Sequence, residues 1–158
     1  MAPPKKGLND PDFWLHVAID SWEWDYRLGT AFKFKGRDED HDPLDELRTL
    51  SIKGTTVKGA VTAAQAGLAV NIRIHDDPRV RAEQRLGNKR LISVGSLDRV
   101  KGGYEGLIFM PDDALPLVLL MLVHGRYGHV NIAALKEARL ASRIQSYEFT
   151  KSMTNDWG

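Results

Sequence analysis

The stretch from Tyr104 to Ile132, YEGLIFMPDDALPLVLLMLVHGRYGHVNI, constrains the fold more than any other part of this chain. It reads as strand, helix, strand. In its middle Leu115, Leu117, Val118, Leu119, Leu120, Met121, Leu122 and Val123 crowd together with no polar stripe between them, and a helix apolar all round needs cover on more than one side. The helix is expected over about residues 112–124. Asp112 or Asp113 would cap its start, Pro116 falls in the first turn where a missing N–H is harmless, and Gly125 would end it as a left-handed cap.

The cover has to come from strands. Phe13, Leu15, Val17 and Ile19 are apolar at every second position, and the alternation continues through Trp22, Trp24 and Tyr26, opposed by Ser21, Glu23 and Asp25. Arg27-Leu28-Gly29 is expected to turn the chain into a partner strand at 31–35, and the charged run 36–46 to form a loop. Further strands are expected at 47–53, 55–61, 68–75, 91–97, 104–110, 127–132 and 140–151, with a helix across 132–146 as the alternative to a turn and strand there. Gly102-Gly103 suits a tight hairpin. The pattern predicts a mainly β fold, an antiparallel sandwich or barrel of about eight to nine strands around one short buried α-helix. Residues 1–12 and 152–158 read as tails flanking a single domain over 13–151.

Bulk properties exclude some function classes. The formal charge is +1, from 22 basic and 21 acidic side chains, so no net field draws in nucleic acid or an anionic membrane. No cysteine is present, which removes thiolate ligands and a cysteine nucleophile and fits a reducing cytoplasm. No secretory leader and no apolar run long enough to span a bilayer is visible, and the expectation is a soluble, cytoplasmic protein. No phosphate-binding loop, nucleophile elbow or dinucleotide fingerprint occurs, and no cofactor is expected.

Four constellations carry what chemistry there is. Asp38, Glu39, Asp40, His41, Asp42, Asp45 and Glu46 form an acidic run whose Asp38, Asp40, His41 and Asp42 could hold a hard cation, set against the plainer reading of a solvated loop. His75-Asp76-Asp77 puts an imidazole beside carboxylates, but neighbours on a strand face opposite sides, so no shared site is expected. Trp22, Trp24 and Tyr26, with Glu23 and Asp25, could stack on a sugar or other small ligand, or equally be core. The basic segment Arg79, Arg81, Arg85, Lys89 and Arg90 reads as an exposed connection rather than a nucleic-acid site.

The reading that follows is a non-enzymatic interaction or structural module, self-associating or part of a larger assembly, with Leu119, Leu122 and Val123 as its interface. A small-ligand or carbohydrate-binding β-sandwich is the alternative. A metal-dependent hydrolase, needing His41 or His75 to meet carboxylates in a cleft, comes third.

Overall fold

The computed structural model describes residues 7, 10–30, 44–57, 66–80 and 94–152. Seven strands and one well-formed helix follow in order: β1 (Phe13–Thr30), β2 (Leu44–Thr56), β3 (Ala69–Asp76), β4 (Gly95–Val100), β5 (Gly103–Met110), α1 (Leu115–Val123), β6 (His129–Lys136) and β7 (Ala141–Thr150). The strands close into a barrel in the order β1-β2-β3-β5-β4-β7-β6, with β6 returning to the first half of β1.

The mainly β fold with a short helix is as expected, with two corrections. Among the described residues there are seven strands rather than eight or nine. The sheet is also mixed, because β3 and β5 run parallel, from Ala69 opposite Gly103 to Asp76 opposite Met110, while the other ladders are antiparallel. The parallel pair arises because β4 and β5 form a hairpin, turning at Lys101-Gly102, and the second arm of that hairpin rather than the first lies beside β3.

Alternation fixes which side chains meet inside. Leu15 and Val17, Leu50 and Ile52, Val70, Ile72 and Ile74, Leu97, Ile108 and Met110, Val130, Ile132 and Ala134, and Ile144 all point inward, and none is more than 2% exposed. The interior is therefore packed with aliphatic side chains, as befits a barrel of this size. Two bulges keep the apolar sets on that side. Asp20 is the extra residue on β1, between Ile19 opposite Gly54 and Ser21 opposite Lys53. Gln145 is the extra residue on β7, between Ser146 opposite Ala133 and Ile144 opposite Ala134.

Helix α1 bridges β5 and β6 across one end of the barrel. Leu115 and Leu122 are buried in the mouth, and Val118 and Leu119 pack on the core from partly covered positions. Its end is as expected. Gly125 has φ +63°, its N–H donates to Leu122 O at 3.0 Å, and the Arg126 N–H donates to Met121 O at 2.8 Å. Its start is not: the N-cap is Ala114, with no side-chain bond. The Asp112 carboxylate is used one step too early, accepting from the Asp113 N–H at 3.0 Å.

The expected burial of the helix also needs correction. Leu117, Leu120 and Val123 are between 52% and 63% exposed, so α1 is sheltered on one side only. A barrel mouth covers one face of a single helix, and no second layer lies over the other face among the described residues. Among the described residues no helix is long and apolar enough to cross a membrane.

Smaller corrections concern strand ends. The chain does not turn at Arg27-Leu28-Gly29, because β1 runs on to Thr30 with Leu28 opposite Glu46. β2 begins at Leu44, inside the expected loop, and ends at Thr56; β4 begins only at Gly95. Residues 132–146 form a β-hairpin, with bends at 138–140, rather than a helix. The expected strand at 31–35 lies outside the described residues.

Candidate functional site

Strand directions bring the ends of β1, β3 and β5 and the starts of β2, β4 and β6 to the α1 end of the barrel. Arg48, opposite Tyr26 near the start of β2, holds Asp76 at the end of β3 with Nε 3.0 Å from Oδ2. Asp76 in turn lies opposite Met110, the last residue of β5. Beyond this point β1 and β2 continue as a two-stranded arm, since β3 pairs β2 only from Thr49 onward and β6 pairs β1 only as far as Ala18.

Exposed apolar side chains concentrate at this end. Of the seven large ones exposed among the described residues, Leu117, Leu120 and Val123 lie on α1, and Tyr26, Leu28 and Leu47 lie on the arm. Leu140, in the β6–β7 turn, is alone at the other end. Scattered surface leucines need no explanation, but this asymmetry marks one pole of the molecule.

The expected interface residues separate along the helix. Val123 is exposed, Leu119 packs against the core and Leu122 is 5% exposed, so Leu122 faces the barrel and cannot meet a partner. Leu117 and Leu120 are exposed alongside Val123. Their spacing with Val123, i, i+3, i+6, is the helical signal that marks the outer face, although the missing polar stripe left it unlabelled.

No protein-family model, curated protein or solved structure matches this chain. Function therefore rests on the chemistry of the side chains themselves. Trp22, Trp24 and Tyr26 share the inward face of β1, opposite Ile52, Leu50 and Arg48. Both tryptophans are partly buried and pack against the core, while Tyr26 lies out on the arm, so the three rings are not one open platform. Glu23 and Asp25 are exposed on the opposite face.

That opposite face is concave. Glu23, Ser51, Lys53, Asn71, Arg73, Ser96, Asp98, Glu105 and Leu107 line an open trough of about 600 Å³ across β1, β2, β3, β5 and β4. Cations and anions are interspersed along it. It can offer hydrogen bonds to a polar ligand.

Two of the described histidines have hydrogen-bond partners across their ladders. His16 lies opposite Asn131 and its Nδ1 donates to Oδ1 at 3.0 Å, on the outer face of the β1–β6 ladder. His75 lies opposite Thr49, with Nδ1 3.3 Å from Oγ1. Burial, and after it the Arg73 guanidinium, hold His75 below its ordinary value against the pull of Asp76. Asp76 turns to Arg48. Asp77 turns to Arg79, whose hydrogen bonds hold that carboxyl below its ordinary value. The triplet thus divides among three partners, as strand alternation predicts. His124 is the C-cap residue of α1, and His129 lies opposite Thr150.

Among the described residues no group of three or more His, Asp and Glu side chains could hold a metal ion. Asp38, Asp40, His41 and Asp42 lie outside the described residues, as do Arg81, Arg85, Lys89 and Arg90.

Proposed function

We propose that this chain is a protein-interaction module that assembles with copies of itself through the α1 end of its barrel. One observation carries the reading: six of the seven large apolar side chains exposed among the described residues lie at that end. Covering the open halves of Leu117, Leu120 and Val123 would return about 3 kcal/mol, taking about 1.5–3 kcal/mol for each fully buried side chain. Association costs about 4–15 kcal/mol in lost freedom. The helix face is therefore an anchor that needs further contacts from the same end, and the arm bearing Tyr26 and Leu28 is the element placed to supply them.

The test is light scattering on wild type and Leu120→Glu over a dilution series. The reading expects wild type to exceed its 17.7 kDa monomer mass at high concentration and Leu120→Glu to associate more weakly while keeping its fold. A wild-type mass of 17.7 kDa throughout would refute it.

A second reading, a polar small ligand such as a sugar, is supported by the trough lined by Glu23, Lys53 and Arg73. Calorimetric titration of wild type and Arg73→Ala against a sugar panel decides it: heat that Arg73→Ala loses supports the reading, and no heat from wild type ends it.

A further inference from the structure

Among the described residues, barrel closure leaves one long strand edge open. β6 follows β1 only from Phe13 to Ala18, and the last bond on that side is the Ile19 N–H donating to Gly128 O at 2.9 Å. From Ser21 to Thr30, β1 pairs with β2 alone among the described strands.

Which backbone groups face the open side follows from the ladder. The Thr56 N–H donates to Leu68 O, so even-numbered residues of β2 face β3 and odd-numbered ones face β1. Their partners on β1 beyond the bulge are Ser21, Glu23, Asp25, Arg27 and Gly29. The N–H and C=O groups of Trp22, Trp24, Tyr26 and Leu28 therefore point away from β2, into the open edge. Lysine and proline often blunt an unpaired edge, and SWEWDYRLGT has neither, its charges being Glu23, Asp25 and Arg27.

We propose that two copies of this chain join by antiparallel pairing of the β1 edge with itself, Trp22–Thr30 against Trp22–Thr30, about a two-fold axis at Tyr26. Charge selects both the occupant and the register. Centred on Tyr26, Asp25 of each copy stands opposite Arg27 of the other, and Trp24 opposite Leu28, each twice by symmetry. Centring on Asp25 sets that carboxylate against itself, and centring on Trp24 sets Glu23 against Asp25. The Tyr26 register also makes Trp24, Tyr26 and Leu28 the hydrogen-bonded positions, matching the groups the open edge presents.

This pairing rests on the self-association reading, and the tests separate the two. Tyr26→Pro removes an N–H that no bond among the described residues uses, so the barrel keeps its melting temperature while the dimer is lost. Asp25→Arg and Arg27→Asp each weaken the dimer by about tenfold or more, and mixing the two variants restores it as a heterodimer, because every facing pair is then of opposite sign. In a chain without cysteine, Tyr26→Cys cross-links on oxidation, since hydrogen-bonded partners lie about 5.5 Å apart at Cα; Ser96→Cys, in the trough, does not. A dimer that survives Tyr26→Pro but not Leu120→Glu overturns the edge pairing and leaves the interaction reading standing. A wild type that stays monomeric overturns both.

Discussion

Trp22 lies directly opposite Ile52, whereas Ile19 lies opposite Gly54, so three steps along β1 are matched by two along β2. The residue taken up is Asp20, and its insertion keeps Leu15 and Val17 before it and the tryptophans after it on one face. A one-residue slip would send one of these sets to solvent. Deleting Asp20 is therefore expected to abolish the cooperative urea transition. Asp20→Ala keeps the residue count and loses only the hydrogen bond that Thr55 Oγ1 donates to Oδ2 at 2.7 Å, an exposed bond worth about 1 kcal/mol.

Leu122 and Leu120 are two residues apart on α1 and face opposite ways. Leu122→Ala opens a cavity at the barrel mouth and should cost about 2–4 kcal/mol, read from the urea midpoint of dilute protein. Leu120→Ala should cost under about 1 kcal/mol there, because half of that side chain is already in water. Equal costs would mean that the helix does not lie on the barrel as described.

Gly103 begins β5 against Ala69 on the parallel strand, where any Cβ would run into the Ala69 carbonyl oxygen. Gly103→Ala must push β3 and β5 apart at their first pair, and a loss of about 2 kcal/mol or more is expected. Gly29, with nothing among the described residues within 4 Å of a Cβ position, is the control. Gly29→Ala should leave the melting temperature within about 2 °C of wild type.

His75 is held below the ordinary 6.5 of an unfolded histidine, so the folded chain binds fewer protons at this site than the unfolded chain. Its contribution to stability is complete above 6.5 and declines as pH falls below that value toward the folded pKa. Asp77, lowered from 3.8 by Arg79, acts only in more acid solution. Between about pH 7 and pH 5 the urea midpoint of wild type should fall more steeply than that of His75→Gln, and parallel profiles would show that the burial of His75 does not couple to protonation.

Much of this architecture was legible in residue order. The alternation of Val70, Ile72 and Ile74 gave β3 nearly to its ends, because a barrel strand with one face in water keeps a strict period of two. The bulge was missed, because the alternation reads as continuing into Trp22 and Trp24, although the change from odd apolar positions at Phe13–Ile19 to even ones there carries its signal. The parallel β3–β5 pairing was not legible, since either arm of the β4–β5 hairpin presents a suitable apolar face to β3. The outer face of α1 was hidden for the opposite reason: leucine and valine occupy both sides, so only contact with the barrel distinguishes Leu122 from Leu120. The trough depends on Glu23, Lys53, Arg73 and Glu105, which come from four strands and gave no signal as a group.

The central claim, that one pole of this barrel is its docking surface, is tested most directly by amide NMR spectra recorded over a dilution series. Shifts confined to Trp22–Leu28 and to Leu117–Val123, with Lys101–Gly103 and Glu137–Leu140 unmoved, are what the account predicts. Spectra that do not change with concentration, or changes centred on Lys53, Arg73 and Glu105 in the trough, would contradict it.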